Sequence, residues 1–182
     1  SLCDWSSDVC SSDLERRPTK VAVIGAGMMG AGIAQVLSDV GKYNVTLSDV
    51  TDKALQNGQA IIAKSLQRIA KKKMADKSAE EQEQFVKGVV DSIKVTTDPA
   101  EAVESTDLVI EAIIENLKIK KELFSFLDSK APKDAIFASN TSSLNITEIA
   151  EATSRQAQFG GTYAPHAAAD PQASTPSTPC RR

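Results

Sequence analysis

The sequence predicts an α/β fold, a mainly parallel sheet wound on both faces by helices. Short apolar runs of strand length, at Val21–Ile24, Leu108–Ile110 and Ala135–Ala138, alternate with longer stretches whose apolar residues recur every three or four positions. The first of these strands runs into Gly25, Gly27 and Gly30, at Gly-x-Gly-x-x-Gly spacing, and then into a helical segment. A further strand ends at Asp49, about twenty residues beyond the last glycine.

The opening strand–turn–helix–strand unit carries the chemistry. Gly25 allows the tight turn out of the strand, Gly27 lets the backbone approach a pyrophosphate, and Gly30 lets the following helix lie close against the strand. The helix then starts with free amides and roughly half a positive charge of dipole facing an anion. Asp49 stands where a carboxylate accepts bonds from the adenosine ribose hydroxyls and repels a 2′-phosphate. Val50 and Thr51 offer no arginine to receive that phosphate, so the expected cofactor is NAD rather than NADP. The fold expectation is therefore Rossmann-like and doubly wound.

Beyond Asp49, the spacing of Leu55, Ile62, Leu66, Ile69 and Ala70 predicts a long amphipathic helix from Asp52 to about Met74, with a basic end at Lys71–Lys73. Ser78 and Glu81 form a capping-box pair at the start of a second helix that turns Phe85, Val86, Val89, Val90 and Ile93 inward. Together they make a helical hairpin over about residues 52–93, inserted where an ordinary dinucleotide fold has its next strand. Strands are then expected at Ile93–Thr96, Leu108–Ile110, Ala135–Ala138 and Gln158–Tyr163. Helices are expected from Pro99, from Asn116 to about Asp128, and from Ile146 to Thr153.

In such a sheet ligands bind beyond the carboxyl ends of the strands, so two loops there attract attention. One runs from Glu111 to Asn116 with Lys118 and Lys120 behind it; the other is Ser139-Asn140-Thr141-Ser142-Ser143. Hydroxyl and amide side chains at a strand end suit ribose, a nicotinamide amide or a thioester carbonyl. They equally suit an N-cap for the helix at Ile146, and the glutamate and lysines equally suit a solvated helix start.

Composition restricts the alternatives. The chain has 182 residues, 41% hydrophobic and 25% charged, with a net charge of −3; this fits one globular domain and argues against a nucleic-acid surface. No apolar run has the length of a membrane span. Cys3, Cys10 and Cys180 all lie in the terminal segments, which leaves the body without a disulfide framework or a thiolate metal site. Residues 1–16 begin SLCDWSSDVCSSDL, a run that resembles the translation of a sequencing-adaptor oligonucleotide, and are expected to be an artefactual or disordered lead rather than a targeting peptide. Residues 164–182 hold four of the seven prolines among Ala, Ser and Thr and are expected to be disordered. The folded domain is expected over residues 17–163.

The segments VAVIGAGMMGAGIAQ, KSLQRIAKKK, STDLVIEAIIENLKIKKELF and IFASNTSSLNITEIA together resemble the amino-terminal domain of the short-chain L-3-hydroxyacyl-CoA dehydrogenases. The resemblance runs from about Lys20 to Gly161, and the bacterial 3-hydroxybutyryl-CoA dehydrogenases share most of it. It implies NAD-dependent oxidation of 3-hydroxyacyl-CoA in fatty-acid β-oxidation, a homodimer, and, for a eukaryotic source, the mitochondrial matrix. It further implies that Gly25, Ala26, Gly27, Met28, Met29 and Gly30 cradle the pyrophosphate and Asp49 holds the ribose. Glu115 and Lys120 would line the NAD site, Ser142 would lie between nicotinamide and substrate, and Ser65 and Lys72 on the hairpin would contact coenzyme A.

The departure from the family is as informative. Where the family places a catalytic histidine after Phe-x-Gly-x, this chain reads Phe159-Gly160-Gly161-Thr162 and then Tyr163. The single histidine, His166, comes three positions late beside Pro165, with nothing to hold its ring within the roughly 3 Å reach of a general base. The family's carboxyl-terminal helical domain, with the glutamate that orients the histidine, has no counterpart in the 182 residues. The sheet face it covers in the family is then expected to present an apolar patch prone to association. No catalytic residue is therefore assigned, and three readings stay open: an inactive NAD-binding half of a dehydrogenase, a non-catalytic NAD-binding module, or a damaged sequence without function.

Overall fold

The computed structural model of the chain describes residues 18–162, in which six parallel strands form one sheet of order β3-β2-β1-β4-β5-β6. In chain order the elements are β1 (Lys20–Ile24), α1 (Met28–Asp39), β2 (Asn44–Ser48), α2 (Asp52–Lys73), α3 (Ala79–Ser92), β3 (Lys94–Thr96), α4 (Pro99–Val103), β4 (Leu108–Glu111), α5 (Leu117–Asp128), β5 (Ile136–Ser139), α6 (Ile146–Ala150) and β6 (Phe159–Gly161). The chain leaves β1 toward β2 and β3 and then returns to β4 on the other side of β1. The strand order therefore reverses between β1 and β4, which opens a crevice there.

Period-two alternation along the strands feeds two cores. Val21 and Val23 of β1, with Val45 and Leu47 of β2, face Ala31 and Ala34 of α1 and the inward stripes of α2 and α3. Ala22 and Ile24, with Val109 and Phe137, face α4, α5 and α6 on the opposite side. That second core centres on Phe124, whose ring centroid lies 4.6 Å from Phe159 and 5.7 Å from Phe137. Edge-to-face and tilted aromatic contacts of this kind add to the burial term.

The helical hairpin is α2 and α3. Thr51 caps α2 by accepting from the Ala54 amide, and the Ser78–Glu81 capping box at α3 forms in both directions. Leu55, Ile62, Leu66 and Ala70 are buried as their spacing predicts; Ile69 is only partly covered. The Ser38 and Ser92 hydroxyls, 2.8 Å apart, join α1 to the end of α3.

Several element ends differ from the sequence expectations: β3 starts at Lys94, β4 runs on to Glu111 and β5 is shifted by one residue to Ile136–Ser139. The last helix ends at Ala150 rather than Thr153, because the chain is drawn toward α5: the Ser154 amide and the Arg155 guanidinium donate to Asp128, at 2.8 and 2.5 Å. Arg155 also donates to the Ala135 carbonyl at 3.2 Å and stacks 4.5 Å from the Phe137 ring centroid. Gln156–Gln158 then forms a 3₁₀ turn, so β6 starts at Phe159 instead of Gln158. Its expected end at Tyr163, the lead of residues 1–16 and the tail of residues 164–182 lie outside the described residues.

Two aspartates tie loops to the sheet. Asp107 accepts from the Lys20 and Thr19 amides at 2.9 and 2.8 Å, and these bonds hold its carboxyl below the usual value of 3.8. For Asp128, burial pushes the pKa up, but the bonds from Ser154 and Arg155 outweigh it and the net direction is down.

Candidate functional site

The turn between β1 and α1 shows what each glycine does. Gly25 has φ +107°, and a Cβ there would sit 2.6 Å from the Ala112 carbonyl oxygen of the next loop. At Gly30 a Cβ would lie 1.8 Å from the Gly25 carbonyl oxygen, so only glycine lets α1 approach the turn this closely. Gly27 is the opposite case: nothing stands within 4 Å of where its Cβ would be, and its backbone is ordinary. The space kept open at Gly27 faces solvent and is available to a ligand.

The start of α1 fits an anion. Gly27 is the N-cap and supplies no side-chain bond, and no acid lies in the first turn. The other five α-helices, α2 to α6, each have a capping side chain: Thr51, Ser78, Asp98, Asn116 and Asn145. The first four amides of a helix lack intrahelical partners, which at α1 are those of Gly27, Met28, Met29 and Gly30. Met28 and Met29 are exposed, 78% and 58%, which leaves their side chains on the surface beside the free amides. Asp49 stands beside them: its Oδ2 accepts from the Ala26 amide at 2.7 Å and its Oδ1 from the Val50 amide at 2.7 Å. The carboxylate is thereby aimed across the turn with lone pairs to spare for hydroxyl donors.

Gly25, Gly27, Asp49 and Val50 line a crevice of about 420 Å³, closed on its far side by Ala112, Ile113, Ile114 and Ile119. Apolar walls with one carboxylate at the rim suit an adenosine, and the amide cluster at the mouth suits its diphosphate. The long helix α2 supports this turn at Gly58, where a Cβ would come within 2.9 Å of the Ala26 carbonyl oxygen. In the sequence that contact shows only as a lone glycine inside a helical pattern.

The two loops at the ends of β4 and β5 meet. Glu115 accepts from the Thr141 hydroxyl at 2.9 Å and from the Ser142 amide at 3.3 Å, which brings the predicted residues Glu115 and Ser142 into one exposed lip. Lys120 lies behind that lip, 0% exposed; its ammonium is 2.6 Å from Glu111 Oε1 and 3.7 Å from Glu115 Oε2. The solvated-helix-start reading of Glu111 and Lys120 is thus corrected: both turn inward and pair, whereas Lys118 stays exposed. Ser139 is also buried, against Glu111. The N-cap reading of the serine loop is corrected as well, since Asn145 accepts from the Thr147 amide and caps α6 by itself.

Ser65 and Lys72 lie on α2 well away from the crevice, two turns or about 10 Å apart along one face; Ser65 is half-buried and Lys72 exposed. Tyr163 and His166 lie outside the described residues. Among the described residues no group of histidine, cysteine and carboxylate side chains suits a metal ion, and no helix is long and apolar enough to cross a membrane.

Comparison with known proteins agrees with this geometry. The family described as "3-hydroxyacyl-CoA dehydrogenase, NAD binding domain" matches residues 20–167. The mitochondrial hydroxyacyl-coenzyme A dehydrogenase of Homo sapiens is 48% identical over 159 residues, which is 87% of this chain and 50% of that protein. Its Sus scrofa relative is 50% identical over 143 residues, covering 79% and 45%. Among solved structures, the (S)-3-hydroxybutyryl-CoA dehydrogenase of Ralstonia eutropha superposes with a TM-score of 0.69 at 39% identity, covering 80% of this chain and 48% of that one. The chain thus spans about half the length of the relatives it matches. With the glycine turn, the uncapped α1 and Asp49 all in place, the chain belongs to the NAD-binding domain family of the 3-hydroxyacyl-CoA dehydrogenases, and its cofactor is NAD.

Proposed function

We propose that this chain supplies the NAD-binding half of an oxidoreductase that converts 3-hydroxyacyl-CoA to 3-oxoacyl-CoA in fatty-acid β-oxidation. The observation that carries the reading is the uncapped N-terminus of α1 with Asp49 beside it, in a chain about half identical to mitochondrial dehydrogenases of that substrate class. NAD, when bound, accepts the hydride released from the alcohol carbon. The chain's own residues bind and orient. The backbone from Gly25 through Ala26, Gly27, Met28 and Met29 to Gly30 holds the diphosphate, and Asp49 selects an unphosphorylated ribose. Glu115 and Ser142 form the lip at the nicotinamide end, with Lys120 behind Glu115. Ser65 and Lys72 receive the coenzyme A of an acyl-CoA substrate. By analogy with the relatives the location is mitochondrial, and the family resemblance extends this proposal to the matrix and to a homodimer for the complete enzyme.

Tyr163 occupies the position of the family's histidine, and a phenol of pKa about 10 is a poor base at neutral pH. Turnover by the 182-residue chain is therefore expected near background. The same residue favours a second reading, a non-catalytic module that senses or buffers the nucleotide. Titrating NADH into the full chain, with nicotinamide fluorescence as the readout, and then assaying with acetoacetyl-CoA tests both. Saturable binding without turnover is the expected result; robust turnover would refute the missing-base argument, and absence of binding would refute both readings.

A further inference from the structure

Below the lip formed by Glu115 and Ser142 lies a charged cluster that core packing does not require. Glu111 at the end of β4, Lys120 on α5 and Ser139 at the end of β5 are each 0% exposed. Desolvating a carboxylate and an ammonium costs about as much as their attraction returns, so apolar residues of similar volume would serve the core as well. The cluster nevertheless leaves no buried side-chain nitrogen or oxygen without a hydrogen-bond partner. Glu111 Oε1 accepts from the Lys120 ammonium at 2.6 Å and the Ile113 amide at 2.7 Å, and Oε2 accepts from the Ser139 hydroxyl at 2.5 Å. Lys120 reaches on to Glu115, and Glu115 to Thr141 and Ser142. A continuous polar chain thus runs from buried strand ends to the exposed lip, joining residues up to 28 positions apart in sequence.

We infer that Glu111 is a positioning residue: through Lys120 and Ser139 it locks the loops after β4 and β5 together, and so holds Glu115 and Ser142 at the nicotinamide end of the cofactor without touching it. The inference rests on the NAD reading above. It also assigns the loop after β5 to the nicotinamide end alone. The crevice beside Gly25 and Asp49 shares the loop after β4 with this cluster through Ala112, Ile113 and Ile114, but it has no lining residue from 139–145, and its turn is held by its own bonds, Gly25 amide to Ser48 carbonyl and Ala26 amide to Asp49.

That separation defines the test. The full chain and its variants are titrated with NADH and with ADP-ribose, which keeps the adenosine, diphosphate and second ribose but lacks nicotinamide. Ser139→Ala removes the bond to Glu111 while leaving the ion pair, and Thr141→Val, at a buried position, removes the hydroxyl that donates to Glu115 and accepts from the Leu144 amide, so thermal melts accompany both titrations to establish that each variant is folded. Each is expected to weaken NADH binding roughly tenfold, as loss of a hydrogen bond to a charged group does, while ADP-ribose binding stays within about twofold. Thr141→Ser, which keeps the hydroxyl, is expected to restore NADH affinity. Equal weakening of both ligands would reduce the cluster to a structural role, and unchanged NADH affinity in both variants would overturn the inference. A wild-type chain that binds ADP-ribose but gains nothing from nicotinamide would overturn it too, while one that binds neither ligand would overturn the NAD reading itself.

Discussion

Two glycines of the same turn should respond to the same substitution in opposite ways. In Gly30→Ala the new Cβ would stand 1.8 Å from the Gly25 carbonyl oxygen, and real Cβ atoms essentially never come within 3.0 Å, so α1 must retreat by about 1.2 Å. Overpacking of this kind costs about 1–3 kcal/mol, at the upper end here because the obstacle is backbone, and better helix propensity returns only about 1 kcal/mol. A net loss of about 2 kcal/mol lowers Tm by roughly 4–8 °C for a domain of this size. In Gly27→Ala the Cβ meets nothing within 4 Å and the backbone angles are ordinary. The restricted unfolded chain gains about 0.4–1 kcal/mol and the poorer N-cap loses a similar amount, so Tm should move by no more than about 2 °C. The methyl nevertheless fills the approach to the α1 amides. NADH affinity should fall at least about tenfold, or 1.4 kcal/mol. Thermal melts paired with calorimetric NADH titrations read both quantities. If Gly27→Ala binds NADH as tightly as the parent chain, or loses as much stability as Gly30→Ala, the division of roles between these glycines is wrong.

Asp49→Ala removes the acceptor for the Ala26 and Val50 amides together with the proposed ribose contact; NADH affinity should drop by roughly tenfold or more and the preference over NADPH should shrink, as competition titrations would reveal. Lys72→Ala alters an exposed side chain on α2, so Tm should stay put while affinity for free coenzyme A falls about threefold to tenfold at low salt; an unchanged affinity would remove Lys72 from the proposed substrate face. Acid should weaken the fold in a specific window. Asp107 and Asp128 titrate below 3.8 when folded, whereas the unfolded chain takes up these protons near 3.8. Their contribution is therefore present above about pH 4 and is lost as pH falls through the lower folded values. Urea midpoints measured from pH 6 to pH 3 should decline in that range, and Asp128→Asn should start lower but fall less steeply; an equal slope would contradict the assignment.

What could be read from the sequence was whatever physical chemistry ties to fixed local spacing. Gly25 and Gly30 were legible because a tight turn and a close helix contact each demand glycine at a set distance along the chain. Ser78 and Glu81 were legible for the same reason, as a capping box spans a single turn. The node of Glu111, Lys120 and Ser139 was not, because its partners come from different elements and a lysine near a helix start looks like any solvated charge. The early end of α6 was hidden likewise, since Asp128, which draws Ser154 and Arg155 away from the helix, lies 26 and 27 positions upstream.

The account stands on the α1 amides as a diphosphate cradle. The most direct test is to follow the backbone amide resonances of the ¹⁵N-labelled chain during an NADH titration. The predicted result is saturable shifts concentrated at Gly27, Met28, Met29 and Gly30, with Asp49 and Val50 following, and weaker shifts with NADPH. Saturation centred on other amides, or no shift in these residues at millimolar NADH, would contradict it.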